Sequence, residues 1–147
     1  AFTEGFFDLM EYVIHSEKET EEFGLSLAEK LEAGDVIALI GDLGTGKTTL
    51  TKSIAKGLGI GEMITSPTFT IVSEYFSGKL PLFHFDVYRL SGEDEAFEAG
   101  LEEYFDRGGV CIIEWADIIE GLLPENTKYI FLDYGKAEGE RVYRCSF

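Results

Sequence analysis

At 147 residues the chain is sized for one domain closed around a single core. Apolar residues make up 45% and aromatics 14%, which excludes an intrinsically disordered chain. Twelve basic residues against 28 acidic ones leave a net charge of −16, a surface that repels phosphate backbones and anionic lipid, so unaided nucleic-acid binding is not expected.

Two cysteines, Cys111 and Cys145, cannot build a secreted-type disulfide scaffold, and each sits in an apolar run as a buried thiol would. No stretch approaches the ~20 apolar residues of a membrane helix, and the first residues lack the basic start of a signal peptide. A reducing cytoplasm is the expected location. There is no repeat, no low-complexity tract and no Gly/Ser linker.

In chain order, residues 1–10 (AFTEGFFDLM) carry no regular pattern and read as an N-terminal extension to a domain over 11–147. Glu11–Ile14 is expected as a short strand. Ser16 and Glu19 then have capping-box spacing, and Phe23, Leu27 and Leu31 supply the buried stripe of the helix they announce. Gly34-Asp35 ends it. Val36–Ile40 (VIALI) is apolar without alternation, the pattern of a strand covered on both faces. A glycine-rich loop follows, then a second helix with Leu50, Ile54 and Leu58 in register and Gly59 as its stop.

Beyond it, Phe69–Phe76 and Leu80–Val87 read as a hairpin around Ser77-Gly78-Lys79. Ser91 and Asp94 have N-cap spacing for a helix through Glu93–Phe97. Val110–Ile113 (VCII) is another buried strand. Lys128–Asp133 and Arg141–Phe147 close the chain as two strands around a Gly135–Gly139 turn. The sum is an α/β domain with a parallel centre, antiparallel edge strands and flanking helices.

The loop carries the chemistry. Gly41-Asp42-Leu43-Gly44-Thr45-Gly46-Lys47-Thr48 fits the phosphate-loop pattern G-x-x-x-x-G-K-[ST] at every fixed position, between a buried strand and an amphipathic helix. Glycines let backbone N–H groups turn inward as a nest for phosphate oxygens. The helix start adds the positive end of its dipole. Lys47 is placed to reach the β- and γ-phosphates and the Thr48 hydroxyl to bind Mg²⁺, making the domain P-loop NTPase-like.

Hydrolysis also needs a carboxylate on the magnesium side. Three apolar runs end in an acid: Leu82–Asp86, Val110–Glu114 and Ile130–Asp133. Periodicity does not choose among them, although Asp133 precedes a turn near the chain end, which favours Asp86 and Glu114. His84 alternates with Phe83 and Phe85 and reads as a structural histidine.

Four segments in order carry a resemblance: Gly41–Thr49, Thr65-Ser66-Pro67-Thr68-Phe69-Thr70, His84-Phe85-Asp86-Val87-Tyr88-Arg89 and Ile113-Glu114-Trp115. They resemble the phosphate loop, the S-P-T-[FY]-T segment, the H-x-D-[LV]-Y-R motif and the I-E-W segment of the bacterial TsaE (YjeE) family. The likeness runs from about residue 12 to the end, and Ala116 departs from it where a proline is common.

The resemblance implies a Mg²⁺-dependent ATPase that supports threonylcarbamoyl transfer to adenosine 37 of tRNA. It would act as partner of TsaB and TsaD homologues, meeting tRNA only through that complex. Gly41–Thr49 would bind ATP, with Thr48 and Thr49 at the phosphates and Mg²⁺. Asp86 would sit on the metal side, Glu114 would bind Mg²⁺ or orient water, and Lys47 would complete the catalytic set. Ser66, Pro67 and Thr68, with Trp115 beside them, would sense the γ-phosphate. The His15–Thr20 stretch is expected on the adenine side.

Two alternatives stay open: a small-molecule kinase, and a nucleotide-dependent switch with little catalysis. Arg89, Arg107, Arg141 and Arg144 form no cluster of the kind that clamps a phosphorylated acceptor, which counts against the kinase. No N-K-x-D motif reads a guanine base.

Overall fold

The computed structural model describes residues 9–42, 44–67 and 71–147. Seven strands form one mixed sheet in the order β1-β7-β6-β2-β5-β4-β3. They are β1 (Met10–Ile14), β2 (Val36–Ile40), β3 (Val72–Tyr75), β4 (Leu82–Asp86), β5 (Val110–Glu114), β6 (Lys128–Tyr134) and β7 (Arg141–Cys145). The centre β6-β2-β5-β4 is parallel, and β1-β7-β6 and β3-β4 are antiparallel. Both expected hairpins form. Residues 68–70 of the first lie outside the described residues, and so does most of the N-terminal extension.

The continuous apolar runs take the covered positions. All five residues of β5 and the first four of β2 are buried, because helices or 3₁₀ turns lie on both faces. On one face pack α1 (Glu17–Glu29) and α2 (Lys47–Gly57), closing a core of Leu27, Leu50, Ile54, Leu82, Ile112 and Ile130. The other face is covered by α3 (Glu93–Glu98) and by 3₁₀ segments at Leu101–Asp106 and Ala116–Leu122.

Helix ends follow their chemistry, with two adjustments. Ser16 caps α1 by accepting from the Glu19 N–H at 3.2 Å, but the Glu19 carboxylate reaches back to the His15 N–H at 2.9 Å rather than to Ser16. That bond, with a second to the His15 ring, holds the Glu19 carboxyl below its ordinary range. Near α3, Gly92 takes the cap position, so Ser91 stands one residue too early and bonds the Glu95 carboxylate at 2.9 Å instead. The end of α2 is a Schellman turn: Gly59, at φ +81°, donates to Lys56 O and Ile60 donates to Ala55 O.

The α1–α2 contact is close because it is built on small residues. A Cβ on Gly24 would lie 2.3 Å from Ser53 Cβ. This packing fixes α2, and hence the loop at its head, over the ends of β2 and β5.

Candidate functional site

Parallel strands share a direction, so the C-terminal ends of β2, β5 and β4 open at one edge of the sheet, the usual place for ligands in such folds. β2 leaves through Gly41 and Asp42, and the chain re-enters α2 at Gly44-Thr45-Gly46. Gly44 (φ +80°) and Gly46 (φ +96°) are left-handed, a conformation that disfavours side chains. Gly41 is demanded by proximity: a Cβ there would lie 2.5 Å from Leu132 O and 2.8 Å from Thr45 Oγ1. The C-terminal hairpin braces the loop, with Arg141 Nη2 donating to Gly44 O at 3.2 Å. Leu43 lies outside the described residues.

Lys47 opens α2 and is only 5% exposed. Its Nζ donates to Gly41 O at 2.5 Å and to Asp42 O at 2.8 Å, and sits 4.2 Å from the centre of the Trp115 ring. Burial pushes the ammonium below the usual lysine range, against the opposing pull of Glu114, Asp42, Asp86 and Asp117.

Thr48 joins three elements. Its hydroxyl donates to Glu114 Oε1 at 3.2 Å and lies 3.3 Å from Ser66 Oγ. Glu114, at the end of β5, is 3% exposed, and its Oε2 lies 2.5 Å from Nε2 of the fully buried His84. Asp86 stands across from Glu114 in the β4–β5 register, half-buried, with Oδ1 accepting from the Tyr88 N–H at 3.1 Å. Trp115 has φ +62°, the one non-glycine positive φ among the described residues, and its ring meets Tyr88 at 4.7 Å. Its N–H donates to Leu39 O at 3.1 Å, tying the turn after β5 to β2.

Thus Lys47, Thr48, Ser66, Glu114 and Trp115 form one contiguous set, with Asp86 beside Glu114. Pro67 follows Ser66, while Thr68 lies outside the described residues. Thr49 borders a cleft of about 130 Å³ on the α1 side, with Ser16, Glu17, Thr20, Gly44, Thr45 and Gly46 among its walls. Part of the His15–Thr20 stretch therefore does lie against the loop. Asp133 is exposed and ion-paired with Arg144. Among the described residues no three or more His, Cys, Asp or Glu side chains cluster as a ready metal site.

Sequence reasoning read His84 as a structural histidine; the structure buries it and pairs it with Glu114, a partner that reading missed. Alternation with Phe83 and Phe85 says only that His84 occupies the opposite face of β4; Glu114, thirty residues later, decides what that face meets.

A strand that runs into a left-handed glycine loop and a helix headed by Lys-Thr, beside strands ending in acids, defines a P-loop α/β protein. A family model described as "Threonylcarbamoyl adenosine biosynthesis protein TsaE" matches residues 14–143. The tRNA threonylcarbamoyladenosine biosynthesis protein TsaE of Bacillus subtilis (strain 168) is 50% identical over 78% of this chain and 72% of its own length. That of Treponema pallidum is 44% identical over 84% and 90%. The crystal structure of B. subtilis YdiB superposes with a TM-score of 0.78 at 40% identity, covering 95% of this chain and 85% of that one. The chain belongs to the TsaE family.

Among the described residues no helix is long and apolar enough to cross a membrane.

Proposed function

We propose that the chain is a Mg²⁺-dependent ATPase, with residues 11–147 as its catalytic domain. It supports threonylcarbamoyl transfer to adenosine 37 of tRNA in the cytoplasm, as partner of TsaB and TsaD homologues. The observation that carries this reading is the hydrogen-bonded chain Ser66–Thr48–Glu114 beside the buried Lys47.

The donors suit the chemistry. Hydroxyl and carboxylate oxygens are hard ligands, and Mg²⁺ characteristically takes one or two carboxylates plus substrate phosphates rather than an all-protein cage. Thr48 and Asp86 would hold the ion, with Glu114 beside it and Thr49 on the outer side of the loop; bound there, Mg²⁺ would neutralise charge developing on the transferring phosphoryl group. Lys47 would turn from the Gly41 and Asp42 carbonyls to the β- and γ-phosphates of ATP. Loop amides from Gly41 to Gly46, Leu43 included, would line the phosphates, and the base would follow into the cleft against Ser16 and Thr20. Glu114, its carboxylate held by Thr48 and His84, would orient the attacking water.

The Ser66–Thr48 contact also favours a conformational role: Ser66, with Pro67 and Thr68 after it, would sense what Thr48 binds, with Trp115 at the Lys47 end. Hydrolysis would then be slow until partners engage. A kinase reading is weakened further, since Arg141 braces Gly44, Arg144 pairs with Asp133 and Arg107 pairs with Glu74. A net charge of −16 leaves tRNA contact to the partners.

The test is Lys47→Ala. Calorimetry should show loss of Mg-ATP binding in a folded variant; unchanged affinity and turnover would exclude the phosphate-loop reading.

A further inference from the structure

A carboxyl group as buried as that of Glu114 needs hydrogen-bond partners. Oε2 meets His84 Nε2 at 2.5 Å, and the Thr48 hydroxyl lies nearer Oε1, at 3.2 Å, than Oε2, at 3.5 Å. His84 reaches it through strand parity. Leu82, His84 and Asp86 share one face of β4, and Val110, Ile112 and Glu114 share the same face of β5, in the register Leu82↔Val110, His84↔Ile112, Asp86↔Glu114. Leu82, Val110 and Ile112 belong to the apolar core beneath α2. The imidazole therefore stands between that core and the carboxylate.

Its setting makes it costly as a mere space-filler. His84 is 0% exposed, and Nδ1 has no hydrogen-bond partner among the described residues. Buried polar atoms without partners call for an explanation, and an aromatic hydrocarbon in this place would carry none. The bond to Glu114 supplies the explanation. It also selects the tautomer: with no described acceptor at Nδ1, the less costly arrangement keeps the lone pair there and the proton on Nε2. Nε2–H then donates to Glu114 Oε2.

We infer that His84 is a positioning residue for Glu114. Its Nε2–H pins one carboxylate oxygen, which fixes the rotation of the group and presents the other oxygen to Thr48 and to the nucleotide bound at the head of α2. This inference rests on the role proposed for Glu114.

Two variants of similar volume separate donor from shape. His84→Met removes the N–H, and His84→Gln returns one at comparable reach. In single-turnover ATP hydrolysis by the full chain, His84→Met should lower the rate roughly 10–100-fold, the usual loss when the group orienting a functional ligand is removed. Calorimetry should show its Mg-ATP Kd within about threefold of the unmodified chain, placing the loss in kcat. His84→Gln should recover most of the rate. Added to Glu114→Gln, His84→Met should cost little more, because both changes break one unit.

A wild-type rate in His84→Met beside a slow Glu114→Gln would overturn the inference and leave the Glu114 role standing. A wild-type rate in Glu114→Gln would instead remove the role of Glu114 itself. Equal losses in the Met and Gln variants, tracking lowered melting temperatures, would make His84 structural and overturn the inference. If His84→Met does not fold, the imidazole ¹⁵N spectrum of the unmodified chain decides. With only two histidines present, the His84 signals are separable; a proton on Nε2 is expected, and a bare Nε2 would overturn the assignment.

Discussion

Glu114 and Asp133 both close an apolar strand run on an acid, and they end in opposite surroundings. Glu114 is buried between His84 and the head of α2; Asp133 is exposed and ion-paired with Arg144. Both strands pair in parallel with β2, so direction alone does not separate them. Parity does. In β5, Val110, Ile112 and Glu114 face the α1–α2 layer, whereas in β6 that face belongs to Ile130 and Leu132, which leaves Asp133 on the other side. Leu39 stands opposite both Glu114 and Ile130, so Asp133 falls three residues farther along, an odd offset that puts it on the other face. An apolar run ending in an acid marks a strand end, and only the face says whether that end is a site.

The largest expected effect sharpens this contrast. Glu114→Gln should slow ATP hydrolysis by roughly 100-fold or more while Mg-ATP affinity is largely kept, as expected for a group that orients water in the transition state. Steady-state kinetics with calorimetry separates the two quantities.

Asp86 shares the parity of Glu114 and is assigned to the metal side of the site. Asp86→Asn should lower turnover about tenfold and shift the Mg²⁺ requirement upward, read from a Mg²⁺ titration at fixed ATP. An unchanged Mg²⁺ midpoint would detach Asp86 from the metal.

The interiors of the two regions should behave alike. Burial pushes Cys111 in β5 and Cys145 in β7 up to about 12. Neither should react with iodoacetamide at pH 8 in the native state. Because the folded thiols hold protons that unfolded ones release from about pH 9, stability should fall as pH rises from 9 toward 12. Urea melts across that range check the sign.

The smallest effect is expected at Asp133. Asp133→Asn removes an exposed ion pair, costing at most about 1 kcal/mol in a denaturant melt and leaving turnover unchanged.

Local chemistry was legible wherever a residue type answers a local demand. Ser16 caps α1, Gly59 ends α2, and Gly44 and Gly46 supply the left-handed turns of the loop. Fold class followed from the covered runs at Val36–Ile40 and Val110–Ile113. Strand order did not, because an apolar run carries no name for its neighbour; nothing in Lys128–Asp133 says that it lies beside β2. The pairing of His84 with Glu114 was hidden for the same reason, since it depends on β4 and β5 being adjacent in one register. The usable signal was parity: His84, Asp86 and Glu114 fall on matching phases of two runs that each end in an acid.

The most direct measurement is a crystal structure of the chain grown with Mn²⁺ and a non-hydrolysable ATP analogue, with the metal located by anomalous scattering. Triphosphate is expected in the Gly41–Thr48 loop, with an anomalous peak beside the Thr48 hydroxyl, on the side of Asp86 and Glu114. A nucleotide bound in the loop with its metal held at Asp133, or a nucleotide bound away from Lys47, would contradict this placement.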